Sequence, residues 1–129
     1  NKKNNSYHCH NENTQIDKLE SNKKNVIIES CYDGDTCTTS EGEKIRLACI
    51  DTAELRGPKA QTVKALAAKD YLNNLIAGKE VFIRRITKDR YGRTVAELSI
   101  NGKNIQQIMF NSGYAKIYSK YAYQCAWSR

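Results

Sequence analysis

Four carboxylates stand at turns or strand ends rather than on solvated helix faces: Asp33, Asp35, Asp51 and Glu54. Asp35 opens a short β-branched run and Asp51 closes the next apolar run. In an antiparallel pair joined by a short turn, those two positions fall at the same end. Two carboxylates meeting there, with a backbone carbonyl, suit a hard cation such as Ca²⁺, which takes oxygen ligands at roughly 2.3–2.6 Å. Glu54 follows in the loop that leaves the strand, within reach of such a cation or of a water beside it. Arg46 precedes Asp51 on the same run, and strand alternation sets it with Ala48 and Ile50, odd company for a solvated guanidinium. Arg93 follows Gly92, where the backbone can turn sharply into the next strand. Two guanidinium forks converging on a carboxylate and a cation make a receptor for a phosphodiester. One well-placed donor there is worth about 3 kcal/mol of barrier.

Each feature alone is ordinary. Asp33-Gly34-Asp35 is a common turn, Arg46 could pair with Glu54 to settle strand edges, and Arg90 and Arg93 could be solvated loop charges. Their joint occurrence in this order is what points to chemistry.

The elements that must position these groups read as follows. Val26 to Tyr32 is a strand, Asp33-Gly34-Asp35 a tight turn, Thr36 to Thr39 a second strand and Lys44 to Ile50 a third. Gly57-Pro58 opens a helix whose apolar face is Ala60, Val63, Ala67, Tyr71 and Leu75, closed by Gly78. Glu80 to Ile86 and Thr94 to Ile100 are two more strands, linked by the polar loop Thr87 to Arg93. Asn104 caps a short helix through Ser112, stopped by Gly113, and Tyr114 to Arg129 is tyrosine-rich and partly irregular. Five strands with a helix between the third and fourth give an α+β fold: a five-stranded OB-type β-barrel with two or three packed helices. Residues 1–25 are polar and read as a flexible tail, leaving 26–129 as one domain.

The 129 residues suffice for one ordinary domain, and 40% hydrophobic content supports a packed core. A formal net charge of +7 favours a polyanionic partner, and five of those charges belong to residues 26–129. No apolar run is long enough to span a bilayer, and no signal peptide is visible. The five cysteines, Cys9, Cys31, Cys37, Cys49 and Cys125, contain no CxxC pair, which argues against structural zinc. Cys37 and Cys49 read as small buried hydrophobes on strands. Cys9 and Cys125, in the two terminal segments, either staple those segments together or stay unpaired; both readings stand. His8 and His10 beside Cys9 are read as an accident of composition rather than a metal site.

Three stretches in order, Tyr32-Asp33-Gly34-Asp35-Thr36, Ile45 to Glu54 and Asp89-Arg90-Tyr91-Gly92-Arg93, strongly resemble the staphylococcal (thermo)nuclease family, and Ser112-Gly113-Tyr114-Ala115 continues the match. The resemblance runs from about Val26 to Tyr121. It implies a Ca²⁺-dependent nuclease on DNA and RNA that cuts between phosphorus and the 5′ oxygen and leaves 3′-phosphates. It assigns Asp35, Asp51 and the Thr52 carbonyl to the metal, and Glu54 to the attacking water. Arg46 and Arg93 take the phosphate, and Tyr91 and Tyr121 the nucleotide. It departs from the family at Ala53, where proline is usual, in the short segment between Glu54 and the helix, and at Trp127-Ser128-Arg129, where the family continues into a further helix. The resemblance also implies a secreted or periplasmic enzyme, and nothing in the sequence suggests an obligate dimer. The rival reading is a non-catalytic nucleic-acid-binding module of the same fold. The five chemical side chains, Asp35, Arg46, Asp51, Glu54 and Arg93, are all present and favour the enzyme.

Overall fold

The structure is a computed structural model, and it describes residues 23–55, 57 and 61–129. Most of the expected tail therefore lies outside the described residues, as do the expected helix opening at Pro58 and the face position Ala60. Strand β1 (Asn25–Asp33) buries Val26, Ile28 and Cys31 and turns through Gly34 into β2 (Thr36–Thr39). The turn is closed locally, with the Asp35 N–H donating to Asp33 Oδ1 at 3.0 Å. Strand β3 (Lys44–Leu47) returns antiparallel to β2, with Thr36 opposite Arg46 and Cys37 opposite Ile45.

Strands β5 (Glu80–Lys88) and β6 (Thr94–Ile100) form the second hairpin, and β5 pairs with β1. Parallel pairing of β3 with β6, Ile45 opposite Thr94 and Leu47 opposite Ala96, rolls the sheet into a barrel. The interior is filled by Ile28, Ile45, Leu47, Val81, Ile83, Ala96 and Leu98. The expected α+β, OB-type barrel is what forms.

Two helices close it. Helix α1 (Thr62–Ile76) buries Ala65, Ala68, Leu72 and Ile76. That stripe lies one residue on from the expected face, a rotation of about 100°, and Val63 is 83% exposed. The reason is close approach: a Cβ added at Gly34 would come within 2.8 Å of Ala68 Cβ and 2.9 Å of Thr52 Cγ2. Only small residues fit where α1 crosses the β1–β2 turn, so alanines turn inward and the bulkier Val63 outward. Asn73 fixes the same approach, accepting from the Cys31 N–H at 2.8 Å and donating to the Cys31 carbonyl at 3.0 Å. Helix α2 (Ile105–Asn111) starts at the expected cap, Asn104 Oδ1 accepting from the Gln107 N–H at 2.9 Å.

The third strand ends at Leu47, short of the expected Ile50, because Cys49 adopts φ +71° and breaks the alternation. Ala48, Cys49 and Ile50 are consequently all buried. Buried Gln106 bridges the break. Its Nε2 donates to the Ala48 and Ala96 carbonyls at 3.3 and 3.1 Å, and its Oε1 accepts from the Leu98 N–H at 3.0 Å. Beyond the break, Ile50 and Asp51 form β4 (Ile50–Asp51). After the edge strand β7 (Lys103–Asn104), the chain returns as β8 (Lys116–Ile117), antiparallel to β4.

The cysteine expectations are corrected. Cys125 bonds to Cys49, not to Cys9, which lies outside the described residues, and Cys31 bonds to Cys37. Cys37 and Cys49 are buried as expected but disulfide-bonded. Cys31 and Cys37 are directly opposed in the β1–β2 register. The positive φ at Cys49 coincides with the point where the C-terminal segment crosses, the Tyr118 N–H donating to the Cys49 carbonyl at 2.8 Å.

Candidate active site

The β1–β2 turn delivers Asp35 to the barrel surface in a buried setting, 7% exposed. Its Oδ2 accepts from the Thr52 N–H at 3.2 Å and from Thr52 Oγ1 at 3.1 Å, and its Oδ1 from Thr36 Oγ1 at 3.2 Å. Arg46 reaches up from β3. Its Nη1 lies 3.5 Å from Asp35 Oδ2, its Nη2 3.8 Å from Asp51 Oδ1, and Nη1 also donates to the Leu47 carbonyl at 2.6 Å. One guanidinium thus spans the two carboxylates that sequence reasoning paired. Asp51 stays open, its side chain 59% exposed.

Burial pushes the Asp35 carboxyl up to about 6. The Arg46 charge pulls it back only in part, and the neighbouring Asp33 adds to the rise. An ionised Asp35 is therefore short of positive charge. Among the described residues no group of three or more His, Cys, Asp and Glu is arranged to hold a metal. A site here would use two carboxylates and a backbone carbonyl, from Asp35, Asp51 and Thr52, completed by water. That all-oxygen set, with an under-compensated buried carboxylate, fits a hard cation.

Glu54 is exposed in the loop after β4. Its carbonyl accepts from the Gln61 N–H at 2.9 Å, tying the loop to the start of α1. Among the described residues its side chain makes no ion pair, so the alternative pairing of Arg46 with Glu54 does not form. The structure gathers Asp35, Asp51, Thr52 and Arg46 and leaves Glu54 without a polar contact to them.

On the other side of Arg46 opens a cleft of about 570 Å³, walled by the β5–β6 loop and the C-terminal segment. Arg93 and Tyr91 come from the loop, which Asp89 organises. Asp89 Oδ1 accepts from the Tyr91 and Arg93 N–H groups, both at 2.9 Å, and Oδ2 accepts from Arg93 Nε at 2.7 Å. Burial alone would raise the Asp89 carboxyl, but the hydrogen bonds from Arg93 and Tyr91 hold it below the usual carboxylate range. Arg93 packs over the Tyr91 ring at 5.5 Å, and Arg90 lies 5.0 Å from the same ring. The two arginines expected to converge do share this cleft, although Arg93 pairs with Asp89 rather than with Asp35 or Asp51.

Tyr121 lines the opposite wall from the 3-10 helix Ser119–Gln124. Sequence reasoning missed its companions. Tyr118 stands edge-on to Tyr121 at 5.1 Å and lies 6.0 Å from the Arg46 guanidinium, while Lys120 lies 5.4 Å from the Tyr121 ring. Lys88 adds another cation to the lining, where Asp89 is the sole acid among the described residues. The available signal was the tyrosine-rich C-terminal stretch, which carries no periodicity. No helix among the described residues is long and apolar enough to cross a membrane.

Comparison with known proteins bears on this arrangement. The family described as "Staphylococcal nuclease homologue" matches residues 44–126, which include Arg46, Asp51, Thr52, Glu54, Tyr91, Arg93 and Tyr121. Asp35 precedes that stretch, and its place in the site rests on its contacts with Arg46 and Thr52. A protein named "Staphylococcal-like nuclease CAN1" from Arabidopsis thaliana is 36% identical over 78 residues, 60% of this chain and 23% of the relative. An "Uncharacterized endonuclease" of Escherichia coli O157:H7 is 32% identical over 93 residues, covering 69% of this chain and 58% of the relative. Another of that name from Haemophilus influenzae is 31% identical over 106 residues, 80% of this chain and 58% of the relative. The chain thus spans between about a quarter and three fifths of these relatives' lengths. With the family match covering β3 to β8, the cleft and all but one of the gathered side chains, the chain belongs to the staphylococcal nuclease family.

Proposed function

We propose that this chain is a Ca²⁺-dependent, sequence-tolerant nuclease that hydrolyses DNA and RNA at the P–O5′ bond and leaves 3′-phosphates. The observation that carries the reading is Arg46. A single guanidinium lies within 4 Å of both Asp35 and Asp51 and also lines a cleft whose charged residues are cationic but for Asp89. A scissile phosphate entering beside Arg46 meets the carboxylates and the cleft together.

Asp35, Asp51 and the Thr52 carbonyl would hold the cation. When bound, it supplies positive charge to the phosphoryl oxygens and eases deprotonation of water. Glu54, exposed and without an ion pair among the described residues, accepts the proton of the attacking water. Arg46 and Arg93 bind the non-bridging oxygens through planar forks, and each such donor lowers the barrier by about 3 kcal/mol. Tyr91 and Tyr121 offer ring surfaces to bases. Stacking tolerates any base, which accounts for the lack of sequence preference.

The chain works as a monomer in an oxidising compartment, secreted or periplasmic. Its two disulfides support that location, since such bonds are rare in reducing cytosol. The test incubates plasmid and oligonucleotide with Ca²⁺, Mg²⁺ or chelator, followed by end-group analysis of the products. Cleavage in Ca²⁺ alone with 3′-phosphate ends is expected. Intact DNA after hours in millimolar Ca²⁺ would leave the non-catalytic binding module standing instead.

A further inference from the structure

A second groove, of about 370 Å³, lies on the other side of Asp51 and shares no lining residue with the first cleft. Arg46 of the cleft lies 3.8 Å from Asp51 of the groove, so the carboxylates sit at their junction. Among the described residues, Lys64, in the first turn of α1, and Lys116, directly opposite Asp51 in the β4–β8 register, supply its cations. Both are exposed, and neither takes part in an ion pair among the described residues. Asp51 is its one acid among the described residues.

The lining differs in kind from that of the first cleft. Ala53, Ala67 and Gly113 line it with small side chains. Its one aromatic residue among those described, Tyr114, already has a ring face covered by Tyr71 at 4.4 Å, and Tyr71 is itself anchored to Ser112 at 2.9 Å. The first cleft offers Tyr91, Tyr118 and Tyr121 with cations interleaved. One channel is built to stack bases, whereas the other has room and charge for a sugar–phosphate strand.

We infer that the Lys64–Lys116 groove is a second polynucleotide subsite. It holds the backbone of the strand on the side of the scissile phosphate opposite the tyrosine cleft, with Lys64 and Lys116 each neutralising a phosphate. This rests on the nuclease reading for which strand is held, but binding tests it separately from cleavage.

The experiment measures anisotropy of a fluorescent single-stranded DNA of about 20 nucleotides, in chelator, across a salt series. Lys64→Ala/Lys116→Ala should weaken binding about tenfold at low salt and flatten the log–log salt slope by about 1.4, two single-strand phosphate contacts. Lys79→Ala/Lys103→Ala removes the same charge from exposed positions outside both clefts and should stay within about twofold of wild type. Equal weakening by both pairs would mean diffuse attraction and overturn the subsite, as would no change in the first pair. Cleavage of the same oligonucleotide in Ca²⁺ is scored in parallel. Binding that follows the expected pattern without cleavage sinks the nuclease reading and keeps the groove.

Discussion

The two halves of the site are held in opposite ways. The carboxylate half is anchored at buried Asp35, beside an open Asp51: Asp35 is fixed by Thr52, Thr36 and Arg46, its turn by Asp33, and the turn's clearance by Gly34 against α1. The cationic half is exposed and held from outside, by Asp89 beneath the β5–β6 loop and by the Cys49–Cys125 bond beneath the tyrosines. Tyr91 is 67% exposed where Asp35 is 7%. Groups proposed to share a cation need fixed distances, whereas groups proposed to receive a polymer gain from access. A disulfide serves each half, but on different scales. Cys31–Cys37 clamps the hairpin that carries Asp35 across a separation of 6 residues, and Cys49–Cys125 closes 76.

That contrast orders the expected effects. Glu54→Gln should lower turnover about 10²–10⁴-fold while leaving the melting temperature unchanged, since its side chain makes no hydrogen bond or ion pair among the described residues. Calorimetry beside single-turnover kinetics checks both halves of the statement.

Cys49→Ala/Cys125→Ala should cost about 4 kcal/mol by chain entropy and raise KM for DNA more than it lowers kcat, because the tyrosine wall loosens. Cys31→Ala/Cys37→Ala should cost about 2 kcal/mol and weaken Ca²⁺ binding instead. If the two double variants shift KM and Ca²⁺ affinity alike, the halves are not separately held.

Gly34→Ala forces a contact of 2.8 Å against Ala68 and should destabilise by about 1–3 kcal/mol in denaturant titration. Ala68→Gly should recover part of that loss, since it frees the same space.

The smallest effect lies away from both halves. Glu43 accepts from Arg85 Nε and Nη2 at 2.9 and 2.8 Å and from Thr94 Oγ1 at 2.8 Å, bridging β5 and β6 beside β3. The Arg85 hydrogen bonds hold its carboxyl below the ordinary value of 4.5, against a smaller opposing push from burial. A depressed folded value means the contribution is complete above that ordinary value and disappears as pH falls through the folded one. Glu43→Gln should therefore flatten the acid limb of the stability curve, measured by melting at stepped pH.

How much of this was legible in the sequence follows from the range of the interactions. The hairpins, the Asn104 cap and the order of the chemical residues are local, and their patterns survive in one dimension. The approach of Asp35, Asp51 and Arg46 was readable because turn and strand-end positions fix where a side chain emerges, whereas Glu54 stands apart and Arg93 pairs with Asp89. The α1 face was read one residue off because Gly34, 34 residues before Ala68 by number, sets the packing. Strand alternation failed at Cys49 because its backbone is bent to meet the C-terminal segment, a contact between positions 49 and 125. Tyr118 and Lys120 belong to a segment shaped by that same bond rather than by any period, so nothing in the sequence placed them on the cleft.

The most direct measurement compares the initial rate of oligonucleotide cleavage by wild type and Arg46→Ala at the same saturating Ca²⁺ concentration, with a chelator control. The expected result is rapid wild-type cleavage abolished by chelator, and a rate about 10²–10³-fold lower for the variant. Wild-type rates in Arg46→Ala, or cleavage untouched by chelator, would contradict the placing of Arg46 and the two carboxylates at the centre of the chemistry.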